Sequence, residues 1–388
     1  MTVPRQRATP RIMPASPALV CDYAASRWCT SCPHIEQPYA EQLAAKQART
    51  AAVLADIVPP ERWLSPVGSA VAGFRTRVKI AVGGSHNDPQ LGFVDADGQV
   101  RDIRRCPIQD PAITRVLPKL AAFIATARLQ PYDIATRRGE LKYLLITTTS
   151  AGMMVRFVLR STEAEARIRK YLPGLLEDCS VVTLNILPEH KAVTEGAREI
   201  VLTDTPYLAM PLSTRELTIA PQSFTQTNTA VADQLYQAVA AAADAHKPER
   251  IYDLYCGVGG FALHLARPGR HITGVELSPT AIDAARESAT HLPAGCQVEF
   301  LADDALNWAQ EQAPADMVVV NPPRRGIGSE LAAYLNHTAG TVIYSSCYPR
   351  SLARDLAELS EFQVLSAQIF DMFPHTSHVE TVCVLARA

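Results

Sequence analysis

Hydrophobic and polar positions follow two different rhythms along this chain. From Phe74 to about Ile103, short apolar runs are broken by turn signals at Gly83-Gly84, Asn87-Asp88-Pro89 and Asp97-Gly98, which predicts short strands. Leu141–Thr149 and Met153–Arg160 read as paired strands, and Val181–Leu187 and Glu199–Thr203 add more. Helical spacing occurs over about 35–57, 112–127 and 162–171. The first half is therefore a β-rich, α+β piece.

The second rhythm starts after a boundary near 205–220. A helix is predicted over Val231–Ala245. Apolar runs then fall at Arg250–Cys256, His271–Leu277, Val298–Leu301, Met317–Val320, Val342–Ser345, Gln363–Phe370 and Val379–Leu385. Helical patterns at 259–266, 279–290, 303–312, 329–336 and 350–359 separate most of them. Strand, helix, strand at this spacing predicts an α/β fold with a parallel sheet covered on both faces. Only a loop separates the last two runs, which predicts an antiparallel final pair. The division expected is a flexible tail over 1–20, a cysteine-bearing, β-rich region over 21–215, and a Rossmann-like domain over 216–388.

Composition changes little in this picture, but charge changes it. With 47% hydrophobic and 20% charged residues in 388, the chain is neither disordered nor fibrous. No apolar run is long enough to span a membrane, and Pro14 and Pro17 interrupt any signal-peptide core, so a cytoplasmic protein is expected. The formal charge of −2 hides an asymmetry: residues 1–215 carry +7 and residues 216–388 carry −9. Basic clusters at Arg75/Arg77/Lys79, Arg101/Arg104/Arg105 and Arg137/Arg138/Lys142 make the first half a candidate nucleic-acid surface. Solvated strand faces explain them equally well.

The chemistry sits at the ends of the apolar runs. Asp253-Leu-Tyr255-Cys-Gly257-Val-Gly259-Gly260-Phe-Ala262 follows one run and opens a helix. Glycines there allow a tight turn and close approach to a ligand at a helix N-terminus. Glu276, 19 residues beyond Gly257, can accept both ribose hydroxyls. A dinucleotide fits this pattern, so an NAD-dependent oxidoreductase is one reading. Asp253, placed to face a cationic amino group, and Asn321-Pro322-Pro323 at the fourth run favour S-adenosylmethionine. Arg324 stands where amine methyltransferases usually carry an aromatic residue, which points to methylation of carbon. Cys347, just past the fifth run, then has a purpose. C5 of uracil becomes nucleophilic only after a thiolate adds at C6, and a separate base must later remove the C5 proton. Glu380, opening the last run, is the candidate base. A metal site made of His375, His378 and Glu380 is the weaker alternative, because an extended segment scatters those side chains.

Cys21, Cys29 and Cys32, with Cys106-Pro107 further on, suggest a metal or cluster site. Zinc is the default for four thiolates, and the following proline is a weak hint of iron and sulfur. Disulfides fit poorly, since no secretion signal is present and the nine cysteines are an odd number. Cys179, Cys256, Cys296 and Cys383 read as structural.

These residues resemble the bacterial RNA uracil-C5 methyltransferases from Cys21 essentially to the C-terminus, and among them the members that act on 23S ribosomal RNA. The strings that carry the resemblance are Arg138-Gly-Glu-Leu-Lys-Tyr143, Pro221-Gln-Ser-Phe-Thr-Gln-Thr-Asn228, Cys256-Gly-Val-Gly-Gly-Phe261, Asn321-Pro-Pro-Arg-Arg-Gly-Ile-Gly328, Tyr344-Ser-Ser-Cys347 and Phe370-Asp-Met-Phe-Pro-His-Thr376. The resemblance implies a class I S-adenosylmethionine-dependent methyltransferase domain, with cofactor contacts at Gln226, Tyr255, Glu276 and Asn321. It further implies Cys347 as nucleophile, Glu380 as proton acceptor, and a [4Fe–4S] cluster on Cys21, Cys29, Cys32 and Cys106. Gln226 is supplied by the resemblance alone. Tyr255 departs from the phenylalanine common in relatives but keeps the aromatic face. The partner implied is 23S ribosomal RNA, with transfer RNA or another ribosomal uridine as the alternative target, and with no membrane and no obligate protein partner evident.

Overall fold

Two seven-stranded sheets carry the chain, and the change of rhythm marks the passage from one to the other. The computed structural model describes residues 18–190 and 193–388, so all but the end of the tail expected over 1–20 lies outside the described residues. The short helix α1 (Asp22–Ala25) and the longer α2 (Tyr39–Val53) come first. Then follow β1 (Arg77–Gly84), β2 (Pro89–Val94), β3 (Val100–Asp102), α3 (Pro111–Thr126), β4 (Leu141–Thr149), β5 (Gly152–Leu159), α4 (Glu165–Tyr171), β6 (Val181–Ile186) and β7 (Arg198–Val201). They form a sheet of order β3-β2-β1-β4-β5-β6-β7, antiparallel except where α4 makes a crossover between β5 and β6. Alternation along β1 sends Val78, Ile80 and Val82 into a core shared with Leu117, Leu120 and Ile124 of α3. Asp110 caps α3 by accepting from the Ala112 N–H at 2.7 Å, and Pro111 occupies its first turn.

The expected boundary is itself structured. β8 (Leu208–Pro211) and β9 (Glu216–Ile219) pair as a hairpin there. Leu208, Met210, Leu217 and Ile219 share one core with Met154 and Val181 of the first sheet and with Ile282 and Ala285 of the second half. Four-residue strands give too short an alternation to stand out in the sequence.

The second half runs α5 (Thr229–His246), β10 (Arg250–Leu254), α6 (Gly260–Leu265), β11 (His271–Glu276), α7 (Pro279–Ala289), β12 (Gln297–Ala302), α8 (Ala305–Gln310), β13 (Ala315–Val320), α9 (Gly328–Thr338), β14 (Ala339–Ser346), α10 (Pro349–Glu358), β15 (Phe362–Phe370) and β16 (Glu380–Arg387). All seven predicted runs are strands, in the order β12-β11-β10-β13-β14-β16-β15. β10 to β14 pair in parallel, and β16 inserts antiparallel between β14 and β15, as the loop-only connection predicted. The order reverses between β10 and β13, which opens a crevice beyond their carboxyl ends.

Residues before the first sheet pack on the second. Leu54 and Val58 join a core with Val318, Leu352 and Leu356, while Trp63 and Val67 make parallel bridges to Ala367 and Phe370. Among the described residues, no helix is long and apolar enough to cross a membrane.

Candidate active site

Tyr255, Glu276, Asn321 and Cys347 come from four different strands, yet all stand at or just past the carboxyl ends of β10, β11, β13 and β14. The parallel register produces that gathering, since it aligns Leu254 with both Val275 and Val320, and Val320 with Tyr344. The glycine loop after β10 turns sharply. Tyr255, Gly257 and Gly259 all have positive φ, at 64°, 54° and 78°. A Cβ on Gly259 would lie 2.6 Å from the Phe300 ring, so only glycine fits, whereas a Cβ on Gly257 would meet open space. That space is bordered by Glu276. Its carboxylate accepts from the Gly257 N–H at 3.3 Å and the Ser278 N–H at 3.1 Å, which fixes its orientation at the end of β11.

Asp253 is fully buried, and one carboxylate oxygen accepts from the Ala262 N–H at 2.9 Å, tying the strand to α6. The other oxygen has no partner among the described residues. Burial pushes its pKa up to about 7, the Ala262 hydrogen bond opposing and Glu276 adding to the shift. An orphaned acceptor under a glycine turn, beside a held carboxylate and open space, fits a cationic, ribose-bearing ligand such as S-adenosylmethionine.

Gln226 lies in the irregular segment over 221–228 that leads into α5. The first sheet holds this segment. The Arg77 guanidinium donates to the Ser223 carbonyl at 2.6 Å and the Thr225 hydroxyl at 3.3 Å, and the Thr76 N–H donates to the Thr227 carbonyl at 2.9 Å. Phe224 within it is 68% exposed, an apolar face left bare beside polar neighbours.

The second centre lies between β14 and β16. Their antiparallel register pairs Ser346 with Thr381, so its next step brings Cys347 opposite Glu380. Glu380 is 2% exposed, and one of its oxygens accepts from the Ser345 hydroxyl at 2.5 Å and the Asn321 amide at 3.2 Å. Burial pushes the Glu380 carboxyl up to about 7 against those two hydrogen bonds. Burial and the nearby Glu380 carboxylate both raise the Cys347 thiol, while Arg324 opposes them. This arrangement does not itself lower the thiol pKa. Ser345 was missed in the sequence, because a serine in an apolar run carries no signal until the register is known; Arg77 was read there only as part of a basic cluster, whereas its guanidinium anchors the segment over 221–228.

His375 and His378 diverge. His375 is buried, with Nε2–H donating to the Val71 carbonyl at 2.7 Å, whereas His378 is exposed. Among the described residues, no three His, Cys, Asp or Glu side chains are arranged to hold a metal ion. Cys21, Cys29, Cys32 and Cys106 are free, half-buried thiols near enough to act on one another. Burial raises Cys32 to about 12, with Cys106, Cys29 and Cys21 adding and Arg75 opposing. A cleft of about 1230 Å³ opens beside Cys21, lined by Tyr23, Arg104 and Arg105 among others, apart from the sheet's carboxyl edge. Cys179, Cys256 and Cys383 are buried as expected, but Cys296 is only half-buried.

Comparison with known proteins decides the family. Residues 38–293 and 308–388 match the tRNA (uracil-5-)-methyltransferase family, and residues 251–336 match a methyltransferase domain family. The 23S rRNA (uracil(747)-C(5))-methyltransferase RlmC of Shigella boydii serotype 4 is 44% identical over 372 residues, covering 94% of this chain and 98% of that protein. The chain belongs to the tRNA (uracil-5-)-methyltransferase family. RlmC of Escherichia coli O127:H6 is likewise 44% identical over 94% of the chain and 98% of its own length. Among solved structures, Pyrococcus abyssi tRNA (uracil-54, C5)-methyltransferase in complex with S-adenosyl-L-homocysteine matches with a TM-score of 0.77 at 26% identity, covering 92% of this chain and 86% of that one. As a tRNA (uracil-5-)-methyltransferase family member, this protein is an S-adenosylmethionine-dependent methyltransferase with the class I α/β fold. The oxidoreductase reading is set aside by that membership.

Proposed function

We propose that the enzyme methylates C5 of a uridine in 23S ribosomal RNA, with Cys347 as nucleophile and Glu380 as proton acceptor. The observation that carries the reading is the pairing of a thiol and a buried, raised carboxylate across β14 and β16, beside Asn321 and the glycine loop. The choice of 23S RNA rests on the relatives named RlmC. When bound, S-adenosylmethionine supplies an electrophilic methyl group and a positive charge. Asn321, Tyr255, Glu276 and Gln226 would hold it, with Asp253, Gly257 and Gly259 shaping the pocket.

The thiol first loses its proton to solvent, which leaves Glu380 ionised for the later step, and Arg324 is the neighbour that favours the thiolate. Cys347 Sγ then bonds to uracil C6, and the C5=C6 electrons shift to make C5 a nucleophile. C5 would take the methyl group as the donor's sulfur–methyl bond breaks, its electrons remaining on a sulfur that leaves as a neutral thioether. Glu380 removes the C5 proton, the C–H electrons restore C5=C6, and the Sγ–C6 bond breaks to return the thiolate. The base must be extruded from its loop to be reached, and the exposed Phe224 offers a stacking face. Residues 21–215 act as the RNA-binding region and 216–388 as the transferase domain, in a cytoplasmic setting.

Cys21, Cys29, Cys32 and Cys106 are assigned to a [4Fe–4S] cluster with a structural role. The support is the gathering of these four half-buried thiols from two separate segments of the chain, close enough to act on one another and on Arg75. Protein purified without oxygen is expected to be coloured and to contain iron and acid-labile sulfide; stoichiometric zinc in their place refutes the assignment. For the reaction, RNA carrying 5-fluorouridine at the target should trap a covalent adduct, because fluorine cannot leave C5 as a proton does. Cys347→Ala should abolish the adduct and turnover. Undiminished turnover by that variant sinks the mechanism.

A further inference from the structure

We infer that helix α2 and the turn before it form a clasp on Glu380, with Lys46, Gln42 and Tyr39 as positioning residues for the proton-abstracting step. The inference rests on the role proposed for Glu380. The nine residues over 371–379 join β15 to β16, and Phe370 pairs with Glu380 at the base of that loop. A connection of this length, left to itself, opens locally at little cost. Here its polar groups are claimed by residues 34–71. Lys46 Nζ donates to an Asp371 carboxylate oxygen at 2.6 Å and to the Phe373 carbonyl at 2.8 Å, and the Tyr39 hydroxyl donates to the other Asp371 oxygen at 3.0 Å. The His375 N–H donates to Gln42 Oε1 at 2.9 Å, and the His34 N–H donates to the His375 carbonyl at 3.0 Å. The Asp371 N–H donates to the Val67 carbonyl at 2.9 Å. His375 itself sits at φ 66°, a conformation that needs such support.

The character of the contact argues for positioning. Lys46 and Asp371 are 1% and 0% exposed, and burying two charges costs about as much as their attraction returns. Two apolar side chains would attach α2 as firmly. What the ion pair adds is one defined register between α2 and the loop that ends at Glu380. Cys347, by contrast, closes a strand held on both sides by β13 and β16, and no hydrogen bond of Lys46, Gln42 or Tyr39 reaches it; the contact of α2 with α10 is made by Leu54. Loosening the clasp should therefore spare thiolate addition and slow proton removal.

Two variants of the full chain test this. Gln42→Met removes a neutral anchor, and Lys46→Met with Asp371→Leu removes both charges together. Each is given unmodified 23S RNA transcript, and covalent complex, its release and amide hydrogen exchange over 371–379 are followed. Adduct formation at the unmodified enzyme's rate, release slowed tenfold or more with its acid limb displaced, and faster exchange in the loop are expected. Equal slowing of both steps, or unchanged exchange and release, overturns the clasp. If the double variant does not fold, Gln42→Met alone decides. Normal release of the adduct by Glu380→Gln would instead overturn the role of Glu380 on which the clasp rests.

Discussion

Two sets of buried charges, one in each sheet, behave in opposite ways. In the first, Arg156 is 2% exposed, and its guanidinium meets Glu199 at 2.7 and 2.8 Å and Glu195 at 2.6 Å. Thr183 and Asn185 also donate to Glu199. Despite burial, those partners hold the Glu199 carboxyl below its ordinary value and raise Arg156. In the second sheet Asp253 and Glu380 are buried without a cation, and both rise to about 7. A charge buried with its partner is inert at neutral pH. A carboxylate buried without one is poised to exchange a proton and is unstable until a ligand arrives.

Glu380→Gln should break the contrast most sharply, slowing turnover by about 10²- to 10⁴-fold while leaving the Cys347 adduct able to form, as measured by single-turnover kinetics and a denaturing gel. Normal release would remove Glu380 from the reaction. On the other side, Arg156→Met should cost about 3–5 kcal/mol in urea unfolding, because Glu199 keeps its burial and loses its cation, while activity per folded molecule stays unchanged. The smallest effect sharpens the comparison. Glu380 has a folded pKa near 7 against an ordinary 4.5, so the folded state holds a proton that the unfolded chain releases between those values. Its contribution is full below about pH 4.5 and is lost as pH rises through about 7. Glu380→Gln should accordingly be more stable than the unmodified protein at pH 8, by up to about 3 kcal/mol, and no more stable near pH 4.5. Equal stability at both would mean that the carboxyl is not raised.

Much of this was legible along the chain. A run such as Met317–Val320 is fully apolar because both faces of a parallel sheet are covered, and helices of this half follow capping residues such as Ser278 and Asp304. Glu276, Asn321 and Cys347 were readable as site residues because loops at strand ends are where such folds put chemistry. The β8–β9 hairpin was too short to see. So was the contribution of α2, since an Ala- and Gln-rich helix does not announce that Lys46 will be buried 325 residues away from its partner Asp371.

By itself, then, the sequence determined the element order, the change of sheet type and the residues able to carry the chemistry, because periodicity and strand-end position are local properties. Tertiary structure decided what those residues are: the register that sets Cys347 opposite Glu380, the burial that lifts Glu380 and Asp253, and the clasp from α2. Dielectric surroundings and hydrogen-bond partners come from segments far apart in the chain, and it is they that turn an ordinary glutamate into one that titrates near neutrality.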